Sequence, residues 1–206
     1  KNISDLTGIE DFTALTYLVC PDNQLTNIDV SNNTALSGLR CSNNQLTSLD
    51  VSNNNALTLL MCFNNQLSIL ELNNNLELEY LECGINQLTS LDLSNNNALL
   101  VFYCENNQLS SLDVRNGNNI NVDGMGSTNN PNLTCIYVDD ADYMNANWAD
   151  YIDPASTFVE NEAECEALSV EDNALELDVF IYPNPTDNYL FIEGNKNPVS
   201  ISIYNL

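Results

Sequence analysis

Cys20, Cys41, Cys62, Cys83 and Cys104 each follow the last by 21 residues, and that single period constrains the fold more than any other feature of the chain. A whole frame travels with it. Leu36-Ser-Gly-Leu39-Arg-Cys41-Ser-Asn-Asn44-Gln-Leu46 is followed by Leu57-Thr-Leu-Leu60-Met-Cys62-Phe-Asn-Asn65-Gln-Leu67. Leu78-Glu-Tyr-Leu81-Glu-Cys83-Gly-Ile-Asn86-Gln-Leu88 comes next. The second half of each unit reads Leu49-Asp50-Val51, Leu70-Glu71-Leu72 and Leu91-Asp92-Leu93, before an asparagine-rich corner. A degenerate unit beginning at Ile3, Leu6, Ile9 and Phe12 precedes the regular ones.

One such unit cannot bury Leu36, Leu39, Cys41 and Leu46 within itself, so the units must stack and share a continuous apolar column. Alternation around Leu39-Arg40-Cys41 turns leucine and cysteine inward and Arg40 outward. Each unit then adds one short strand to a parallel sheet, about 4.8 Å from the next. Asn44, Asn65, Asn86 and Asn107 fall where the chain turns after that strand. A short amide there satisfies the turn's own backbone groups and stacks as a ladder. A period this short leaves little room for a helix on the outer side, so extended or 3₁₀ segments are expected.

The frame resembles the leucine-rich-repeat family, LxxLxLxxNxL, with cysteine in the third apolar slot, a variant shared by cysteine-ladder internalins. The match runs from Leu15 to Val114 without a gap. The resemblance implies a right-handed solenoid over residues 1–138, with parallel β on a concave face and little helix. It also implies that ligands are bound on that face. The outward strand slots hold Tyr17, Arg40, Met61, Phe63, Tyr80, Glu82, Tyr103 and Tyr137, with Glu105 and Asp139 beside them. Aromatics interleaved with acids suit a protein or glycan ligand. The alternative is unselective filling, since strands favour Tyr and Phe in any case.

Within the ladder, equivalent residues on parallel strands carry parallel Cβ vectors about 4.8 Å apart, whereas a disulfide needs about 3.8 Å and converging vectors. The five ladder cysteines are therefore expected to be buried free thiols. Cys135 and Cys165 break the period. In Leu133-Thr-Cys135-Ile136-Tyr137-Val138 the cysteine takes an outward slot, and its one later partner suggests a disulfide that ties down the end of the solenoid. Between Leu112 and Leu133 the repeat loosens into a shortened or irregular coil, and residues 133–138 are expected to form the last strand. Residues 139–165, with Tyr143, Trp148 and Tyr151, read as a cap over the open end of the column.

Residues 166–178 are acidic and read as a linker, after which something new begins at residue 179. Tyr182-Pro183-Asn184-Pro185-Thr186-Asp-Asn188 fixes a turn, and alternating strands follow through Ile201, Ile203 and Tyr204. This segment resembles the type A sorting domain of type IX secretion cargo, which opens YPNPT-x-N and whose next strand ends in IYNL. The family continues with further strands where this sequence ends at Leu206. Residues 179–206 are accordingly expected to be part of an immunoglobulin-like sandwich, completed by other strands. The resemblance implies the type IX machinery as a partner, and a secreted protein or one on the outer surface of a Gram-negative cell.

Charge sets the remaining limits. Four Lys and Arg against 29 Asp and Glu give −25, a poor match to nucleic acid or an anionic membrane. The absence of histidine removes Ser-His-Asp and Cys-His pairs and the HExxH zinc site. No catalytic residue or cofactor is expected, and no apolar run approaches the length of a membrane span. Asp29, Asp50, Glu71, Asp92 and Asp113 form a second ladder, one acid per unit. Two readings stay open: a solvated corner, or Ca²⁺ sites that relieve the stacked charge in a structural or adhesive surface protein.

Overall fold

The computed structural model describes residues 2–171, 180–183 and 190–193. Its strands in chain order are β1 (Tyr17–Val19), β2 (Gly38–Arg40), β3 (Leu59–Met61), β4 (Tyr80–Glu82), β5 (Ser90–Asp92), β6 (Val101–Tyr103), β7 (Ser111–Asp113), β8 (Gly124–Gly126) and β9 (Cys135–Tyr137). Helix α1 (Ala141–Trp148), strand β10 (Thr157–Val159), helix α2 (Glu162–Glu171) and strands β11 (Phe180–Pro183) and β12 (Leu190–Glu193) follow. The chain divides into two compact units, residues 1–165 and 166–206.

The first unit is a parallel β-solenoid with two sheets. The first sheet runs β1-β2-β3-β4-β6-β8, and its register stacks Leu18, Leu39, Leu60, Leu81, Phe102 and Met125 in one inward column. Beside that column stand the five ladder cysteines, all buried and unbonded. The second sheet, β5-β7-β9-β10, stacks Leu91, Leu112, Ile136 and Phe158. Extended or 3₁₀ segments were the expectation on that side; from Ser90 onward the chain instead pairs as a full parallel sheet. The apolar column closes from both sides, with Leu36, Leu39, Leu46, Leu57, Leu60 and Leu67 sealed from solvent. Burying each such leucine contributes about 1.5–3 kcal/mol, available only when neighbouring coils are present.

Two asparagine ladders tie the coils together. Asn65 Nδ2 donates to the carbonyls of Cys41 and Cys62, while its Oδ1 accepts from the Leu46 amide. Asn44, Asn86, Asn107 and Asn130 repeat this arrangement. The second ladder lies at the asparagine-rich corner. Asn54 Nδ2 donates to Val30 and Asn33 carbonyls, and Asn75 and Asn96 do the same one and two coils later. These corner amides are buried, so they are part of the core wall and not surface turns.

The irregular coil is the one departure in the first sheet. Phe102 to Met125 spans 23 residues where Leu81 to Phe102 spans 21, so the coil is lengthened and not shortened. It still supplies a strand, β8, with Met125 inward and Ser127 buried in the slot that a ladder cysteine would take. Because β8 fills the next place in the first sheet, the segment around Ile136 lies half a coil further on, in the second sheet, where Ile136 pairs with Leu112.

Past β9 the apolar column is closed by α1, β10 and the start of α2. Asp140 caps α1 by accepting from the Tyr143 amide at 2.8 Å, and Met144 is buried beneath it. Asp153 accepts from the Asn129 and Asn130 amides at 2.8 and 2.7 Å, satisfying two donors that no further coil can reach. Trp148 packs partly buried on the core, its ring 5.5 Å from Tyr151. A disulfide joins Cys135 on β9 to Cys165 on α2, with Cα atoms 5.9 Å apart. Helix α2 runs on to Glu171, across the boundary at residue 166 where a linker was expected.

In the second unit, β11 and β12 pair antiparallel as a sheet of their own, with Tyr182 opposite Phe191 and Pro183 opposite Leu190. Asn184, Pro185 and Thr186 of the expected sorting motif, and residues 194–206, lie outside the described residues. No helix among the described residues is long and apolar enough to cross a membrane.

Candidate functional site

The outward slots of the first sheet place Tyr17, Arg40, Met61, Tyr80, Glu82 and Tyr103 on one face, with Phe63 and Glu105 two residues past the ends of β3 and β6. Tyr137 does not join them. It stands in the second sheet in register with Asp113, because β8 already takes the next place in the first sheet and residues 133–138 follow half a coil later. There the Arg115 guanidinium lies 4.7 Å from the Tyr137 ring centre and pairs with Asp113 at 2.5 Å and Glu162 at 3.2 Å. Tyr137 thus belongs to a structural clasp between the second sheet and α2.

Glycines on neighbouring strands let the large side chains of the first face lie flat. A Cβ on Gly38 would collide with the Tyr17 ring, and one on Gly126 would collide with the Glu105 carboxylate. A Cβ on Gly124 would come within 2.8 Å of the Tyr103 hydroxyl. Arg40 reaches back over Tyr17, its guanidinium 5.8 Å from the ring centre. The Tyr80 hydroxyl donates to Glu82, and burial, with Glu82 second, pushes that phenol up to about 12. Glu105 is held above the usual carboxylate range, first by burial and also by the charge of Glu82. Phe63, Glu82, Gly84, Ile85, Tyr103 and Glu105 together enclose a groove of about 460 Å³.

One residue of that groove carries backbone strain. Each coil turns after its first-sheet strand through a left-handed residue: Asp22, Asn43, Asn64, Ile85, Asn106 and Asn129, with φ between 53° and 60°. Asn and Asp tolerate this conformation because their short polar side chains bond locally. Ile85 is β-branched, and holding it at φ 53° costs about 1–3 kcal/mol. Its side chain is nevertheless half exposed. The signal was present in the sequence, as the one isoleucine among asparagines at that position of the repeat.

The acid ladder runs one residue per coil along the second-half segments, with Asp92 and Asp113 closing β5 and β7. Asp29, Asp50 and Asp92 each accept from the amide two residues on, those of Ser31, Ser52 and Ser94, at 2.9–3.0 Å. Asp113 accepts likewise from Arg115, and Glu71 accepts from the Asn73 side chain at 3.4 Å. Hydrogen bonds from Ser31 and Ser52 hold the carboxyls of Asp29 and Asp50 below their ordinary range. Among the described residues no three Asp, Glu or Cys side chains gather where one cation would sit. Of the Ca²⁺ candidates, Asp29, Asp50, Asp92 and Asp113 thus each cap the turn that follows, while Glu71 meets only the Asn73 side chain.

No protein-family model matches the chain, and no curated protein matches it. Solved structures do. The functional domain of InlJ from Listeria monocytogenes, which includes a cysteine ladder, is 29% identical with a TM-score of 0.57, over 66% of this chain and 32% of that one. An internalin, inlF, from the same organism is 26% identical with a TM-score of 0.56, over 68% of this chain and 45% of that one. Internalin C2 of that organism, 19% identical with a TM-score of 0.54, matches over 77% of each chain and shares the fold. This chain spans about a third of the first of these and under half of the second. Its described repeats form a parallel β-solenoid that matches the leucine-rich-repeat folds of these structures, with a ladder of buried cysteines at its core.

Proposed function

We propose that the chain is a non-catalytic, extracellular binding module that recognises a protein through the outer face of its first sheet. The observation that carries this is the contrast between the two outer faces of one repeating frame. Along the first sheet the outward slots read Tyr17, Gly38, Leu59, Tyr80, Val101 in one row and Val19, Arg40, Met61, Glu82, Tyr103 in the next. Along the other side they read Asn27, Ser48, Ile69, Ser90, Ser111 and Asp29, Asp50, Glu71, Asp92, Asp113. The scaffold is monotonous on one face and individual on the other. Individual aromatic, basic and acidic side chains on rigid strands are what a specific contact surface requires. Likeness to internalins with a cysteine ladder supports the same reading.

Export is proposed to run through the C-terminal segment, with Tyr182 to Thr186 as an address read by type IX secretion machinery and the solenoid delivered outside a Gram-negative cell. The disulfide between Cys135 and Cys165 suits such an oxidising destination. Deleting residues 179–206 is expected to abolish export in a type IX-competent host; unchanged export would overturn this part.

The binding reading is tested on a panel of purified extracellular proteins and an arrayed glycan set. Met61→Glu and Tyr17→Ala, on the first sheet, are expected to abolish whatever binding the wild-type chain shows, while Ser90→Glu and Ser111→Glu leave it intact. Loss through the second pair alone would move the site to the other face. Binding confined to glycans would replace the protein ligand with a carbohydrate one.

A further inference from the structure

The repeating frame breaks at one place on the first sheet's outer face. The residue after each ladder cysteine is Pro21, Ser42, Phe63, Gly84 or Glu105, and the next is Asp22, Asn43, Asn64, Ile85 or Asn106. An outer amide chain links the early coils, with Asn43 Nδ2 donating to Asp22 at 2.9 Å and Asn64 Nδ2 to Asn43 at 2.8 Å. Ile85 ends that chain. In its place stands a half-exposed isoleucine held in a left-handed turn, next to a glycine, at the wall of the groove. The turn itself is better served by asparagine, as the neighbouring coils show. A Cβ on Gly84 would press on the Glu105 carbonyl, but the fold gives no reason for the isoleucine, and the groove does.

We infer that this groove receives the side chain of an arginine or lysine presented by a basic segment of the protein partner. Phe63 and Ile85 are apolar walls on which an aliphatic stem can lie. Glu82 and Glu105 stand at its acidic side, and the Tyr103 ring offers a face to a guanidinium or ammonium group. Glu82 is already held by the Tyr80 hydroxyl, so one acceptor is fixed before any ligand arrives. Two neighbouring carboxylates, one of them half-buried beside Gly126, repel until a cation sits between them. The net charge of −25 favours approach of a basic segment and disfavours an anionic one. This assignment rests on the protein-binding reading of the same face.

The test is an amide-resolved NMR titration of the chain with the peptide acetyl-Gly-Arg-Gly-amide and with its citrulline counterpart. Saturable shifts are expected at Phe63, Gly84, Ile85 and Glu105, with the neutral citrulline peptide at least ten-fold weaker. Glu105→Gln is expected to weaken the arginine peptide at least ten-fold. Ile85→Asn restores the amide chain and removes a wall, so it is expected to raise Tm by about 2–5 °C while weakening the peptide at least five-fold. A residue with only a structural role would not give those opposite signs. Equal binding of citrulline, an unchanged Glu105→Gln variant, or shifts spread evenly over Asp29, Asp50 and Asp92 would overturn the assignment. So would a neutral oligosaccharide that shifts these amides when the arginine peptide does not. If the peptide fails while Met61→Glu still abolishes binding on the panel, the groove assignment falls and the face reading stands. If the peptide seats in the groove while Met61→Glu leaves panel binding intact, the face reading falls.

Discussion

Burial governs the chemistry of the ladder thiols. It is the largest cause pushing Cys62 up to about 12, with Glu82 second, and the sole cause raising Cys20, at the less covered end, to about 11. A thiol whose folded value lies above its ordinary 9.0 stabilises the fold fully below that value. The contribution is then lost as pH rises toward the folded value. Tm is therefore expected to be flat from about pH 6 to 8 and to fall above pH 9. The fall should be shallower in Cys62→Val, as read by circular dichroism; an identical slope would mean that the column is open to water. Cys62→Ser places a hydroxyl in that column and should destabilise by about 1–3 kcal/mol in urea titrations. The asparagines give a sharper contrast. Asn65→Ala strips partners from the Leu46 amide and from the carbonyls of Cys41 and Cys62, at a cost of about 2 kcal/mol or more. Asn64→Gly, one residue earlier and exposed, removes a surface amide pair while keeping a residue that suits the left-handed turn, and should cost under about 1 kcal/mol.

At the level of elements, the end of the solenoid depends on a covalent tie. The Cys135–Cys165 bond closes a loop with a sequence separation of 30 and joins β9 to α2. In the chain-entropy account such a closure contributes about 3.5 kcal/mol. Reduction, or Cys165→Ser, is expected to lower Tm and to speed amide exchange first in α2 and β10, while β2 to β6 keep their protection. Uniform acceleration through the whole solenoid would show that the cap and the coils unfold as one. The inward columns of β2 to β6 were legible in the sequence because leucine and cysteine recur there with an unbroken period. β8 was not, since Gly124 and Gly126 flank its one inward residue and two extra residues precede it. The mistaken face of Tyr137 follows from that hidden strand, since without β8 the next strand counts as the first-sheet one. Leu133-Thr-Cys135-Ile136-Tyr137-Val138 aligns with the second-half frame Leu109-Ser-Ser-Leu112-Asp113-Val114, but its cysteine suggests the first half. The corner asparagines read as turn residues because composition does not show that Asn54, Asn75 and Asn96 are fully enclosed.

Across the whole solenoid, the repeating and the varying residues occupy different slots of one frame. Inward leucines, cysteines and buried amides repeat with little change, and the corner acids serve their own turns. Variation is concentrated in the outward slots of the first sheet, and strain is accepted there at Ile85. The central claim is that this face, and not the opposite one, meets the partner. It is tested most directly by placing a photo-crosslinking amino acid at Met61 or Tyr103 and, separately, at Ser90 or Ile69, then irradiating with a purified protein that the wild-type chain binds. The account predicts covalent adducts from positions 61 and 103 and none from 69 and 90. Adducts from 69 and 90, or equal yields from all four positions, would contradict it.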